Sequence, residues 1–409
     1  MREIPKEQPQ MYRKGREQAV LLPPASRSRK AHLLIPVAGQ GRFDLPACSR
    51  CGAFAWPVPE ACPVCLSPDM RLTPAPRGGK LISFTTVETP VSGYFRARSP
   101  WRVGLAEMDC GPRALVHLHP GCKSGDRLKL SLILDRAGQA VLHAGPEAAE
   151  NMNDDPQWRE MTADPAGRRV LITDARHVAA LPLVKALVAA GAAHIWLGLD
   201  EEGGSLPEAE ALAATQSVEI VPLDLRSDCS VENLARSTAG VVDILLNTAD
   251  LLPLAASRNP KDPANWREAM EVVAFGHMRL MRSFAPAMAA RGADGAAAWV
   301  NLMSVMARIA HPGFAGYSAA HAAALAQSSA LRLELALGGA RLLTAFAGPA
   351  DSFWKEHFAG ALLAGNEIAC EIIAALRAGL DEVAIGSVAR DWLRQQNENP
   401  RALEAELGV

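Results

Sequence analysis

The chain of 409 residues changes its hydrophobic rhythm once, near residue 168. Before that point apolar residues come in short alternating runs, Lys80 to Val87, Val103 to Met108, Ala114 to Leu118 and Arg127 to Leu134, separated by Gly, Pro and Asp turns. Alternation puts every second side chain on one face of a strand, so this spacing predicts a small antiparallel β-barrel over 77–146. After residue 168, strand-like Arg169 to Thr173, His194 to Leu199, Glu219 to Leu223, Val241 to Asn247 and Ala297 to Met303 alternate with Ala- and Leu-rich helical stretches. That order predicts an α/β doubly wound parallel sheet over 168–409. Residues 147–167 are polar and proline-punctuated and read as a linker. The most apolar stretch, Leu181 to Leu199, is broken by Lys185 and Gly191. It reads as an amphipathic helix running into a strand, so no membrane span is expected.

Charge narrows the classes of partner. Lys+Arg number 42 against 44 Asp+Glu, a net charge of -2, so the surface as a whole offers no field for a polyanion. No nucleic acid is expected. Residues 1–30 form a polar arm with eight Lys/Arg against three Glu. The arm is either solvated or docks on an acidic or CoA-like surface. With no apolar segment at the N-terminus, the expected compartment is the cytoplasm.

Cysteine spacing adds the first chemistry, in 31–76. Cys48-x-x-Cys51 and Cys62-x-x-Cys65 are separated by ten residues, with Gly52 and Pro63 placed for tight bends. Two such hairpins can set four thiolates tetrahedrally around zinc, which supplies folding free energy to a segment too small for its own core. Four thiolates fill the coordination shell and leave no position for an activated water, so the zinc would be structural. His117 and His119 alternate along one strand and, with Cys122 nearby, read as a solvent-side pair rather than a metal site.

The run CSRCGAFAWPVPEACPVC, followed by RGGKLISFTTVETP and GPRALVHLHPGCKSGDRLKLSL, resembles the zinc-ribbon and OB-fold accessory proteins of thiolase-superfamily enzymes. The resemblance implies a rubredoxin-like ribbon, an OB-type barrel, a thiolase-superfamily partner and acyl-CoA as a ligand. An OB fold also suits single-stranded nucleic acid, but that use needs a basic groove with stacking aromatics. Within 77–146 the aromatic residues are Phe84, Tyr94, Phe95 and Trp101. Phe95, Arg96, Arg98 and Trp101 read as an acyl-CoA or partner-docking loop, or as a plain cover for the barrel.

From residue 168 the chain resembles the short-chain dehydrogenase/reductase family, with VLITDARHVAALPLVKALVAAGA, VDILLNTAD and VNLMSVMARIAHPGFAGYSAAH at the family's landmark positions. The family's T-G-x-x-x-G-x-G turn falls on Thr173, Asp174, Val178 and Ala180, so its three glycines are replaced. Glycine is required there because a dinucleotide's diphosphate approaches bare backbone N–H groups. Asp174 is expected to cap the helix and occupy those donors. Its charge at about 6 Å from a phosphate would cost about 3 kcal/mol at an effective dielectric of about 20. Ser304 and Tyr317 keep the family spacing, while the family lysine is His321, which lacks a permanent charge and the reach of lysine. The family's relay asparagine falls on Val273, and Asn-Asn-Ala-Gly has become Asn247, Thr248, Ala249 and Asp250; Asn247 and Asp224 match.

The expectation is therefore a noncatalytic scaffold with vestigial Ser304, Tyr317 and His321 and no NAD(P) site at Asp174, Val178 and Ala180. It would serve a thiolase-type complex that degrades a 3-ketoacyl-CoA, aromatic or hydrocarbon-derived. The Ala/Ser-rich helix Tyr317 to Leu337 would pair with itself or with an active short-chain dehydrogenase subunit, or pack within its own chain. The alternative is an active NAD(P)-dependent short-chain 3-hydroxyacyl-CoA dehydrogenase with an atypical Tyr/His site.

Overall fold

The computed structural model describes residues 22–25, 28–150, 152–200, 217–250, 263–350, 354 and 362–407. Most of the expected N-terminal arm lies outside these residues.

Strands β1 (Asp44–Cys48) and β2 (Met70–Pro74) pair antiparallel, Cys48 opposite Met70, and the cysteine hairpins lie between them. The barrel follows: β3 (Gly78–Val87), β4 (Trp101–Met108), β5 (Arg113–Leu118), β6 (Arg127–Leu134) and β7 (Ala140–Pro146) close in the order β3-β4-β5-β7-β6. Its pairs are antiparallel except β5 with β7, which run parallel. Alternate residues of β5 and β6 (Ala114, Val116, Leu118; Leu128, Leu130, Leu132) point into one core. Gly104 is required by the closure, since a Cβ there would lie 2.7 Å from Leu81 Cδ1.

Residues 147–167 are not a loose linker. Asp155 caps a short helix, Pro156–Met161, by accepting from Gln157 N at 2.9 Å, and Pro156 sits at its first position. The other Asp155 oxygen meets His143 Nε2 of β7 at 2.7 Å, both side chains fully buried. Polar letters here serve caps and buried pairs, which composition alone does not reveal.

The C-terminal unit is a seven-stranded parallel sheet ordered β10-β9-β8-β11-β12-β13-β14, from β8 (Arg169–Ile172), β9 (His194–Leu199), β10 (Val218–Pro222), β11 (Ile244–Asn247), β12 (Ala298–Ser304), β13 (Arg341–Ala347) and β14 (Glu382–Ile385). Helices Ala180–Ala189 and Gly365–Ala378 cover one face, and Asp228–Thr238, Gly276–Gly295 and Ala315–Ala336 the other. No helix among the described residues is long and apolar enough to cross a membrane.

Two buried arginines join the barrel to the sheet. Arg136 donates to the carbonyls of Glu160 (2.6 Å), Thr162 (2.6 Å), Ala297 (3.4 Å) and Gly339 (3.5 Å). Burial, then the neighbouring Arg341, lower its pKa to about 10. Arg341 donates to the carbonyls of Leu134 (2.8 Å) and Met161 (2.5 Å). Buried backbone carbonyls need donors, so these contacts fix one domain against the other.

Candidate functional sites

The zinc-ribbon cysteines come together as their spacing requires. The Sγ atoms of Cys48, Cys51, Cys62 and Cys65 all lie within 4.8 Å of one another. Backbone N–H groups of each hairpin point at its first sulfur: those of Cys51 and Arg50 hold Cys48 down to about 6, and those of Cys65 and Val64 lower Cys62. Both first thiols are thus kept ready to ligate as thiolates. The residues fit a structural zinc ion, with Cys48, Cys51, Cys62 and Cys65 filling its shell.

The barrel histidines are not solvent-side. His119 is buried, 3.4 Å from Asp154, and His117 accepts from Trp101 Nε1 at 2.9 Å. The loop at 95–101 packs inward as well. Trp101 is buried with Trp158 and Met161, and Arg98 holds Glu160 at 2.6 Å and Asp294 at 2.5 Å across the domain junction. This loop covers the barrel and braces the junction through Arg98, while Arg96 donates to the carbonyls of Pro90 (3.1 Å) and Val91 (2.9 Å).

A cleft of about 300 Å³ opens at the carboxyl ends of β8, β11 and β12, lined by Asp174, Asp224, Asp250, Ser304 and Tyr317 among others. In the turn after β8, Asp174 N donates to Thr248 Oγ1 (3.1 Å), Ala175 N to Gly198 O (2.8 Å) and Arg176 N to Asp174 Oδ1 (2.8 Å). Ala179 N donates to His177 Nδ1 (3.1 Å) and Ala180 N to His177 O (2.8 Å). Asp174 is therefore not the helix cap expected of it. The cap position is Ala179, which has no side-chain bond, because the turn runs on past Asp174 and the helix begins only at Ala180. The carboxylate closes the turn on Arg176 instead. Burial, against the Arg176 N–H, raises its pKa.

Val178 is 39% exposed beside the cleft and Ala180 is buried. The turn is sealed from behind, where Gly365 abuts Val178 so closely that a Cβ would lie 2.4 Å from its carbonyl oxygen. Asp224 is also engaged, its Oδ1 accepting from Arg226 N at 2.9 Å. Arg226 pairs in turn with Asp200 (3.0 Å) and Glu268 (2.7 Å).

At the other end of the cleft Asp250 bridges two expected site residues. Tyr317 OH donates to its Oδ2 at 3.1 Å, and His321 Nε2 lies 3.2 Å from its Oδ1. His321 Nδ1 accepts from Ser304 N at 3.4 Å, so the ring carries its proton on Nε2 and donates it to Asp250. Burial pushes Asp250 up, but the hydrogen bonds from His321 and Tyr317 outweigh it and hold the carboxyl below its usual range. Ser304 Oγ accepts from Met306 N at 3.2 Å. Val273 is buried in a π-helical turn, Met270–Phe275.

Comparison with known proteins gives this geometry its context. Residues 168–358 match the short chain dehydrogenase family, and residues 72–132 match the family described as ChsH2, C-terminal OB-fold domain. A short-chain dehydrogenase from Burkholderia cenocepacia, solved in complex with NADP, is 28% identical, with a TM-score of 0.51 over 60% of this chain and 99% of that one. The C-terminal unit is a short-chain dehydrogenase domain. The barrel is an OB fold of the ChsH2 C-terminal type, preceded by the four-cysteine cluster. Short-chain dehydrogenases ptmH of Penicillium ochrochloron and PC-15 of Penicillium crustosum are each 31% identical over 137 residues, 32% of this chain. The chain spans 47% of the length of each.

The dehydrogenase cleft does not fit the dinucleotide that this fold family implies. Room remains, but the turn's amides at 174–176, 179 and 180 are bonded within the chain, the carboxylate of Asp174 sits in the turn itself, and Arg226 of the lining is paired with Asp200 and Asp224. In the sequence Asp250 stands out only as a departure from the family pattern. A charge at a family glycine was the available signal for its link to Tyr317 and His321.

Proposed function

We propose that this protein is a noncatalytic adaptor for a thiolase-type acyl-CoA-processing complex. The ribbon and OB barrel would dock a thiolase-superfamily enzyme, and the dehydrogenase domain would pair with itself or with an active relative. The single observation that carries the loss of redox work is Asp250 across Tyr317 and His321. In a working site a tyrosine proton is passed to or from the reacting oxygen. Here that proton is committed to a carboxylate, and removing it would place a phenolate against Asp250, which like-charge repulsion disfavours. Pairing through the tyrosine helix is supported by its uncharged outer face. Ala319, Ala322, Ala326, Ala330, Leu333 and Leu337 are exposed along it, beside Phe275 and Met278. Small residues allow close helix contact.

Affinity purification of the full chain from its native cells, with partners identified by mass, tests the adaptor reading. Recovery of a thiolase-superfamily enzyme supports it; recovery of neither a thiolase nor a dehydrogenase contradicts it. The open 300 Å³ cleft favours a second reading, an NAD(P)-dependent 3-hydroxyacyl-CoA dehydrogenase working through Tyr317 and His321. Turnover of a 3-hydroxyacyl-CoA with NAD or NADP by the purified chain would establish that reading.

A further inference from the structure

A second cavity lies away from the dehydrogenase cleft. A groove of about 740 Å³ runs between the OB barrel and the helices Ala180–Ala189 and Gly365–Ala378. Its floor on the dehydrogenase side is mostly small: Ala186 and Ala189 come from one helix, and Cys370, Ile373, Ala374 and Ala378 from the other. Ala189 and Ala374 are exposed into it. Met152 and Trp158 of the connector add apolar surface to it, Trp158 being held by Nε1 donating to Arg377 O at 2.8 Å.

The barrel side supplies charge. Arg77 and Lys129 line the groove, and neither forms an ion pair among the described residues. Arg77 is held by one backbone carbonyl, Gly41 O at 2.7 Å, and Lys129 by another, Ala149 O at 3.4 Å. Arg377 adds a third cation, 3.5 Å from Asp164, with its Nε making no hydrogen bond. The one acidic lining residue is Glu150. An apolar trough edged by Arg77 and Lys129, with Arg377 paired to Asp164, complements a molecule that is apolar along its length and anionic at its head. The volume falls within the range of about 300 to 1,000 Å³ typical of small-molecule sites.

We propose that this groove binds an amphipathic anion, a phosphate or carboxylate head on an apolar chain. The head lies on Arg77 and Lys129, and the chain lies along the alanine faces. The site rests on the groove alone and stands whether or not the dehydrogenase cleft is inert or a thiolase docks. A phosphorylated carrier thioester and a free fatty acid share this chemistry, and the test separates them.

Isothermal titration of the zinc-loaded full chain with octanoyl-CoA, CoA and octanoate is the experiment. Saturable binding of octanoyl-CoA, tighter than CoA by at least about tenfold, is expected from burial of the chain. Octanoate binding as tightly as octanoyl-CoA would assign the site to a free acid, and weaker octanoate to the thioester. Lys129→Glu should weaken the binding by about tenfold, and Lys129→Arg should restore it. Ala374→Trp fills the trough and should abolish the gain from the chain. If that variant's melting temperature falls, Ala189→Leu replaces it. CoA binding as tightly as octanoyl-CoA, no saturable binding by either acyl probe, or affinity unchanged in Lys129→Glu and in the folded trough variant would overturn the proposal.

Discussion

The four-cysteine ribbon and the dehydrogenase cleft lie in one chain and differ in what they retain. The ribbon has every atom its metal needs: four sulfurs within 4.8 Å and backbone N–H groups aimed at the first sulfur of each hairpin. The cleft has its strands, its volume, Ser304 and Tyr317, but its amides and its tyrosine proton are bonded inside the protein. A metal that supplies folding energy cannot be lost without losing the fold around it. A cofactor turn can be rebuilt with side chains and still hold a helix on a sheet. A site's survival therefore follows from whether the fold depends on it.

The comparison can be broken first at the metal. Cys62→Ser should lose zinc and unfold the segment between β1 and β2, a loss on the order of 10 kcal/mol locally. Metal content, together with hydrogen exchange over 44–74, reads it; an ordered ribbon without metal would contradict the account. Next is the junction that carries both regions. Arg136→Met leaves buried carbonyls without donors and should cost about 3 to 5 kcal/mol, splitting one calorimetric transition into two.

In the cleft, Asp174→Gly removes a carboxylate and frees Arg176 N. It should strengthen whatever residual NADPH affinity exists by tenfold to about a hundredfold, measured by fluorescence transfer.

The His143–Asp155 pair sharpens the barrel's side of the comparison. Burial raises the Asp155 pKa, but the bond and charge of His143 prevail and the net shift is downward. A carboxyl with a lowered folded pKa gives stability that is complete above the unfolded value of about 3.9 and is lost as pH falls through the folded one. Asp155→Asn should therefore cost about 1 to 3 kcal/mol at neutral pH and flatten the acid limb of a stability–pH curve. The smallest effect is expected at Tyr317→Phe, about 1 kcal/mol in denaturant unfolding, with partner recovery unchanged.

What was legible in the sequence was local. The cysteine hairpins carry their geometry in their spacing, and strands β3 to β6, β8 to β12 and the tyrosine helix lie within a few residues of where periodicity puts them. The missed strands have physical reasons. β7 ends in Gly145 and Pro146, and β14 is only four residues long. The cleft's central contact was not legible because Asp250 lies 67 residues from Tyr317 and 71 from His321. Its formation depends on how the ends of β11 and the tyrosine helix meet across the sheet. The connector reads as a loop in the sequence because buried caps and ion pairs use the same letters as exposed loops.

The central claim is that the cleft has kept its architecture and given up its dinucleotide. Titration of the purified, zinc-loaded chain with NADPH, followed by energy transfer from protein tryptophan to nicotinamide, tests it most directly. The account predicts no saturable signal in the wild-type protein. A saturable signal with a low-micromolar dissociation constant, weakened by a bulkier residue at Val178, would contradict it.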